Sequence, residues 1–169
     1  MRADVERALA PLVGLALWGP ARESNMLSLR FGEAPNGAAG AYALYVFCAW
    51  RLTRGGALLA GSADLFTPAD PDEDLETFDY EAPGATWWDA RWRAYADAAA
   101  PAPPTVAAVA ADAFGGLRLA LSDGAALEVF PNSAPAEHVE TEFWRLVRPG
   151  RGGPDFVAGT AGAAPADDA

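Results

Sequence analysis

The residues that could carry chemistry are few, and most of them stand alone. His138 is the only histidine and sits in the polar stretch Glu137-His138-Val139-Glu140. A general base needs a nucleophile within reach, and the nearest candidate is Ser133, which has no Gly-x-Ser-x-Gly elbow around it. Cys48, the only cysteine, lies in an apolar run over 42–52 and reads as a small core residue rather than a nucleophile. One histidine and one cysteine do not make up the usual nitrogen and sulfur ligands of a zinc site. Asp70, Asp72, Asp74, Glu76 and Glu81 match positions 1, 3, 5, 7 and 12 of a calcium-binding loop. Leu75, however, stands where that loop needs glycine, Pro71 interrupts it, and a strand precedes it where a helix should enter. These residues therefore read as a solvated charge run, and no catalytic group, metal or cofactor is expected.

What remains is surface chemistry. Residues 67–83 carry seven carboxylates and no basic side chain, broken by Pro68, Pro71 and Pro83, which predicts an exposed loop excursion. Phe78, Tyr80 and Trp87 punctuate or flank it. Aromatic anchors within a charged rim give protein interfaces their affinity, while the charge steers encounter. The candidate partner-binding set is thus Asp70, Asp72, Asp74, Glu76, Phe78, Asp79, Tyr80, Glu81 and Trp87. The same rings could instead fold back to pin a long loop.

Charge supports the first reading. With 23 acidic residues against 12 basic ones the formal net charge is −11, a field that repels nucleic-acid backbones and favours cationic partners. No apolar run approaches the ~20 residues that span a bilayer. The start of the chain lacks the apolar core of a signal peptide. A soluble, cytoplasmic protein with a basic protein partner, and with neither nucleic acid nor membrane as partner, is expected.

The element that orders the rest is a hairpin over 117–130. Leu117, Leu119 and Leu121 alternate with polar or small residues, Asp123-Gly124 supplies a turn, and Leu127 and Val129 return. A two-residue loop would set Leu119 opposite Glu128 and face the two apolar sets apart. A three-residue loop, 122–124, sets Leu119 opposite Leu127, Leu117 opposite Val129 and Arg118 opposite Glu128. It requires Gly124 in the left-handed region.

Around this hairpin the pattern predicts a helix capped by Asp4 and ending or kinking at Pro11, and an extended segment from Leu15 that Gly19-Pro20 stops. A half-buried strand over 26–31 follows, with a loop at Pro35-Asn36-Gly37. The run 42–52 reads as one long central strand. A glycine turn at 54–56 leaves Leu59 on the face of Trp50 and Leu52. Thr86 caps a second helix with Asp89 in the capping-box place; Trp88, Trp92 and Tyr95 form its packing stripe. Pro101-Ala102-Pro103-Pro104 is a stiff connector, and strands are expected over 105–111, 142–148 and 155–158. The sum is one α+β domain over 1–158, a largely antiparallel, hairpin-built sheet of about eight strands with two helices packed on it, and a disordered tail over 159–169.

Several pieces together resemble a group of small uncharacterised acidic bacterial proteins: Leu17-Trp18-Gly19 with Arg22 and Asn25-Met26, Ala49-Trp50-Arg51-Leu52, Phe114-Gly115-Gly116-Leu117, Leu127-Glu128-Val129-Phe130-Pro131 and Phe143-Trp144-Arg145-Leu146. That resemblance spans about residues 9 to 158 and implies no site residue. In size, acidity and hairpin content the chain is also similar to immunity proteins that neutralise bacterial toxins. This second likeness implies a non-enzymatic inhibitor. The alternative is a small-molecule binder or enzyme with its pocket between the Trp88 helix and the sheet.

Overall fold

Alternation of large apolar and polar side chains dictates strands, and the turns between them decide which strands meet. The structure, a computed structural model, describes residues 1–33, 40–99, 102–151 and 154–166. The expected loop at Pro35-Asn36-Gly37, and Pro101 of the connector, lie outside these residues. Two helices are described, α1 (Arg2–Leu9) and α2 (Trp87–Ala99), with eleven strands. These are β1 (Leu17–Glu23), β2 (Met26–Phe31), β3 (Tyr42–Val46), β4 (Ala49–Arg54), β5 (Ala57–Gly61), β6 (Val106–Ala111), β7 (Leu117–Leu121), β8 (Ala125–Phe130), β9 (Glu142–Val147), β10 (Asp155–Gly159) and β11 (Gly162–Ala166). The fold is α+β and its ladders are antiparallel. The strands form two sheets where one was expected. Six lie in the order β1-β2-β3-β9-β10-β11 and five in the order β5-β4-β8-β7-β6.

The organising hairpin has the expected register. Leu117 faces Val129, Arg118 faces Glu128, Leu119 faces Leu127, and Gly124 takes φ +82. At the next hairpin the loop is Gly55-Gly56, both with positive φ, the pattern of a type I′ turn. A bulge beyond it sets Ala60, not Leu59, opposite Leu52, and Leu59 is only partly buried.

Four further expectations are corrected. Residues 42–52 are not one strand: β3 belongs to the larger sheet, β4 to the smaller, and the chain crosses at Phe47-Cys48. Gly19-Pro20 does not stop the first strand, because β1 is an edge and its ladder with β2 is irregular between Trp18 and Ala21. An edge strand with a bulge is where proline fits, having no ladder donor to lose. The tail does not begin at 159. Gly159 closes β10, and β11 pairs with it from Gly162↔Gly159 to Ala166↔Asp155; residues 167–169 lie outside the described part. The first helix also starts earlier than expected. Met1 is its N-cap, and the chain's ammonium donates to Asp4 Oδ2 at 3.0 Å.

One buried cluster draws on both sheets, with Leu29, Leu44 and Trp144 from the larger and Leu52, Leu119 and Leu127 from the smaller. The helices meet the sheet margins. α1 contacts β6 and β11, one edge strand of each sheet. α2 contacts β5, and its Asp89 meets Arg22 of β1, the opposite pair of edges. Covering edges in this way removes open ladders that would otherwise invite other chains. Among the described residues, no helix is long and apolar enough to cross a membrane.

The β1–β2 turn, Ser24-Asn25, holds Ser24 at φ +51. A side chain there costs about 1–2 kcal/mol that glycine avoids, less the entropy glycine loses on folding. Ser24→Gly is expected to stabilise the fold by roughly 0.5–1 kcal/mol, read as a rise of about 2 °C in Tm.

Candidate functional site

The acidic loop leaves the sandwich after a 3-10 helix (Ser62–Phe66) and returns at α2. Its neck is sewn shut. Pro68 and Thr86 form an isolated antiparallel bridge, Ala69 N–H donates to Ala85 O at 2.8 Å and Trp87 N–H to Thr67 O at 2.7 Å. Inside, aspartates make local turns, accepting from the backbone two residues on: Asp72 N–H to Asp70 Oδ1 at 2.9 Å, Glu76 N–H to Asp74 Oδ1 at 3.0 Å and Glu81 N–H to Asp79 Oδ1 at 2.9 Å. Asp and Asn favour such turns because the short side chain substitutes for a turn carbonyl. The carboxylates of Asp70, Asp72, Asp74, Glu76, Asp79 and Glu81 belong to exposed residues. They do not converge. Among the described residues no group of three or more His, Cys, Asp or Glu is placed to hold a metal ion.

The aromatic residues divide between the two roles left open for them. Tyr80 packs edge-on against Phe66 with ring centroids 5.2 Å apart and so pins the loop, with Phe78 also half-buried. Trp87 stays 37% exposed under the Arg91 guanidinium, 4.6 Å from its ring centroid. Leu75, which sequence reasoning used only as an argument against calcium, is 75% exposed in the middle of the charge run. Phe66, 49% exposed, was also missed.

The anchor of the loop is a part-buried ion pair. Arg22 donates from Nε to Asp89 Oδ1 at 3.3 Å, and from Nη2 to Asp89 Oδ2 at 3.0 Å and to Ala82 O at 3.1 Å. Asp89 also closes the expected capping box: Thr86 N–H donates to its Oδ2 at 3.1 Å, and its own N–H donates to Thr86 Oγ1 at 3.3 Å. Burial pushes the Asp89 carboxyl up, but the Arg22 and Thr86 donors outweigh this and hold it below the ordinary carboxylate range. One guanidinium therefore ties strand β1, the loop's return and the α2 N-terminus together.

The Trp88, Trp92 and Tyr95 stripe of α2 packs inward, and Trp88 also lines a cleft beside the β1–β2 turn. Trp88, Trp92 and Tyr95 are 5, 5 and 7% exposed, with Trp88 stacked on Trp92 and Trp92 edge-on to Tyr95. Tyr95 Oη donates to Asp123 Oδ2 at 3.0 Å, binding α2 to the turn of the organising hairpin. Burial, then the Asp123 charge, raises the Tyr95 pKa.

Neither His138 nor Ser133 gains a side-chain partner among the described residues. His138 is exposed at φ +65 in a tight turn whose ends, Ala136 and Val139, form a bridge. Its ring makes no hydrogen bond among the described residues, and Ser133 is exposed in the same segment. Burial pushes the Cys48 thiol up to about 12, so it is protonated at neutral pH and unsuited to attack. No family model, no curated protein and no solved structure matches the chain.

Proposed function

We propose that this protein is a non-enzymatic binder of the immunity or inhibitor type, using the region over 70–88 against a basic protein partner. One observation carries the reading: seven carboxylates share an exposed loop without an internal cation, while its neck is closed by backbone hydrogen bonds. Holding like charges together costs the free protein repulsion, which a cationic partner relieves. Leu75 and Trp87 supply apolar contact within the charged rim, and the pinned Tyr80 keeps the loop in one shape before binding, which lowers the ordering cost.

The test is capture of partners from the native host at low salt. A basic protein is expected to be retained and then released as salt rises, because screening acts on this kind of contact. Asp72→Asn, Asp74→Asn and Glu76→Gln together are expected to slow association by roughly tenfold with little change in Tm. Failure to recover any basic protein with the unmodified chain, or undiminished binding by the triple variant, would refute the reading.

A further inference from the structure

A cleft of about 220 Å³ lies between α1 and the larger sheet, lined by Ala8, Tyr42, Leu146, Arg148, Phe156 and Pro165. Its walls are mainly apolar. Leu146, Phe156 and Pro165 are paired neighbours across β9, β10 and β11 and so share one face of the sheet. Leu146 belongs to the buried cluster, with Tyr42 and Phe156 partly buried against it. Arg148 follows β9 and lays its guanidinium over the Tyr42 ring, 5.6 Å from the centroid. It has no carboxylate partner among the described residues, although the chain holds 23 acidic residues against 12 basic ones. Asp155 also lines the cleft, but its Oδ2 accepts from Arg145 Nη1 at 3.2 Å. A second cation is close by. Arg151 is exposed, and its backbone N–H donates to Arg148 O at 3.1 Å. At this corner the charge is therefore opposite in sign to that of the chain as a whole, and it stands beside apolar surface.

We propose that this cleft binds a small carboxylic acid with a compact apolar body, its carboxylate held by Arg148 and its body laid against Leu146, Phe156 and Pro165. A guanidinium meets a carboxylate with two parallel hydrogen bonds, and the Tyr42 ring steadies that guanidinium from its other side. Covering the apolar row supplies the driving force, while the ion pair fixes the ligand's orientation. The volume falls below the roughly 300–1,000 Å³ of clefts that take drug-sized ligands, which selects a short acid over a long-chain one. The site is formed by α1 and the larger sheet and shares no residue with the acidic loop.

The probe is 3-phenylpropionate, titrated into the full chain and followed by isothermal calorimetry. Saturable binding to one site is expected, with affinity roughly tenfold weaker for 3-phenylpropionamide, which keeps the shape without the charge, and for Arg148→Gln. Ala8→Leu places a larger side chain on the cleft wall and should abolish binding. Arg148 is exposed, so Arg148→Gln should unfold within about 3 °C of the unmodified protein. No saturable binding, equal affinity for the amide, or undiminished binding by Arg148→Gln or Ala8→Leu overturns the proposal. The amide comparison uses the unmodified chain, so it decides the matter even where a substitution damages the fold.

Discussion

Arg22→Ala is expected to destabilise the protein by about 3 kcal/mol, lowering Tm by roughly 8 °C at neutral pH. The side chains of Arg22 and Asp89 are only 7% and 13% exposed, so removing the guanidinium strands a carboxylate out of water. Ala82 O also loses its donor, loosening the loop's return. The pH dependence follows from the direction of the Asp89 shift. A carboxyl held below its unfolded value, about 3.9, contributes stability above that pH and loses it as pH falls through the folded value. In Arg22→Ala only the Thr86 donors still oppose burial, so the Asp89 carboxyl is held down less and acid relieves part of the penalty. Thermal unfolding of the two proteins should therefore differ most near pH 7 and converge towards pH 3. An undiminished gap in acid would show that the guanidinium acts through packing, not charge.

Trp144→Ala should be more damaging, costing about 4–5 kcal/mol and roughly 12 °C in Tm. The residue is 0% exposed, stacks on Phe156 with centroids 5.8 Å apart, and donates from Nε1 to Gly115 O at 2.7 Å. It thus binds β9 to β10 and to the turn before the organising hairpin. Trp144→Phe separates these parts. Most of the ring contact stays while Gly115 O loses its donor, so a loss of about 1–3 kcal/mol is expected. Denaturant unfolding checks both. Equal losses for the two variants would mean that the hydrogen bond, not the ring's volume, dominates.

What could be read from the residues was local. The hairpin over 117–130 yielded its register because only one loop length brings Leu119 to Leu127, and the Thr86–Asp89 box was visible because cap and partner are three residues apart. Apolar residues on both faces hid the crossing at Phe47-Cys48, since such a run looks the same whether it serves one sheet or two. Gly and Ala in 159–166 suggested disorder, yet small side chains do not prevent a strand that has β10 to pair with. The acidic loop was legible as charge and proline. Its anchor was not: Arg22 and Asp89 are 67 residues apart, and the one clue was an arginine two residues beyond a Gly-Pro in an apolar segment.

The larger sheet collects its strands from both ends of the chain. Leu44 of β3 pairs with Leu146 of β9, so during synthesis the far side of β3 waits while about a hundred further residues emerge. The smaller sheet, β4 to β8, is contiguous in sequence and can assemble first. A nascent chain halted before β9 would carry β2 and β3 with an open apolar margin. The larger sheet can therefore close only once Glu142–Val147 is available to cover that margin.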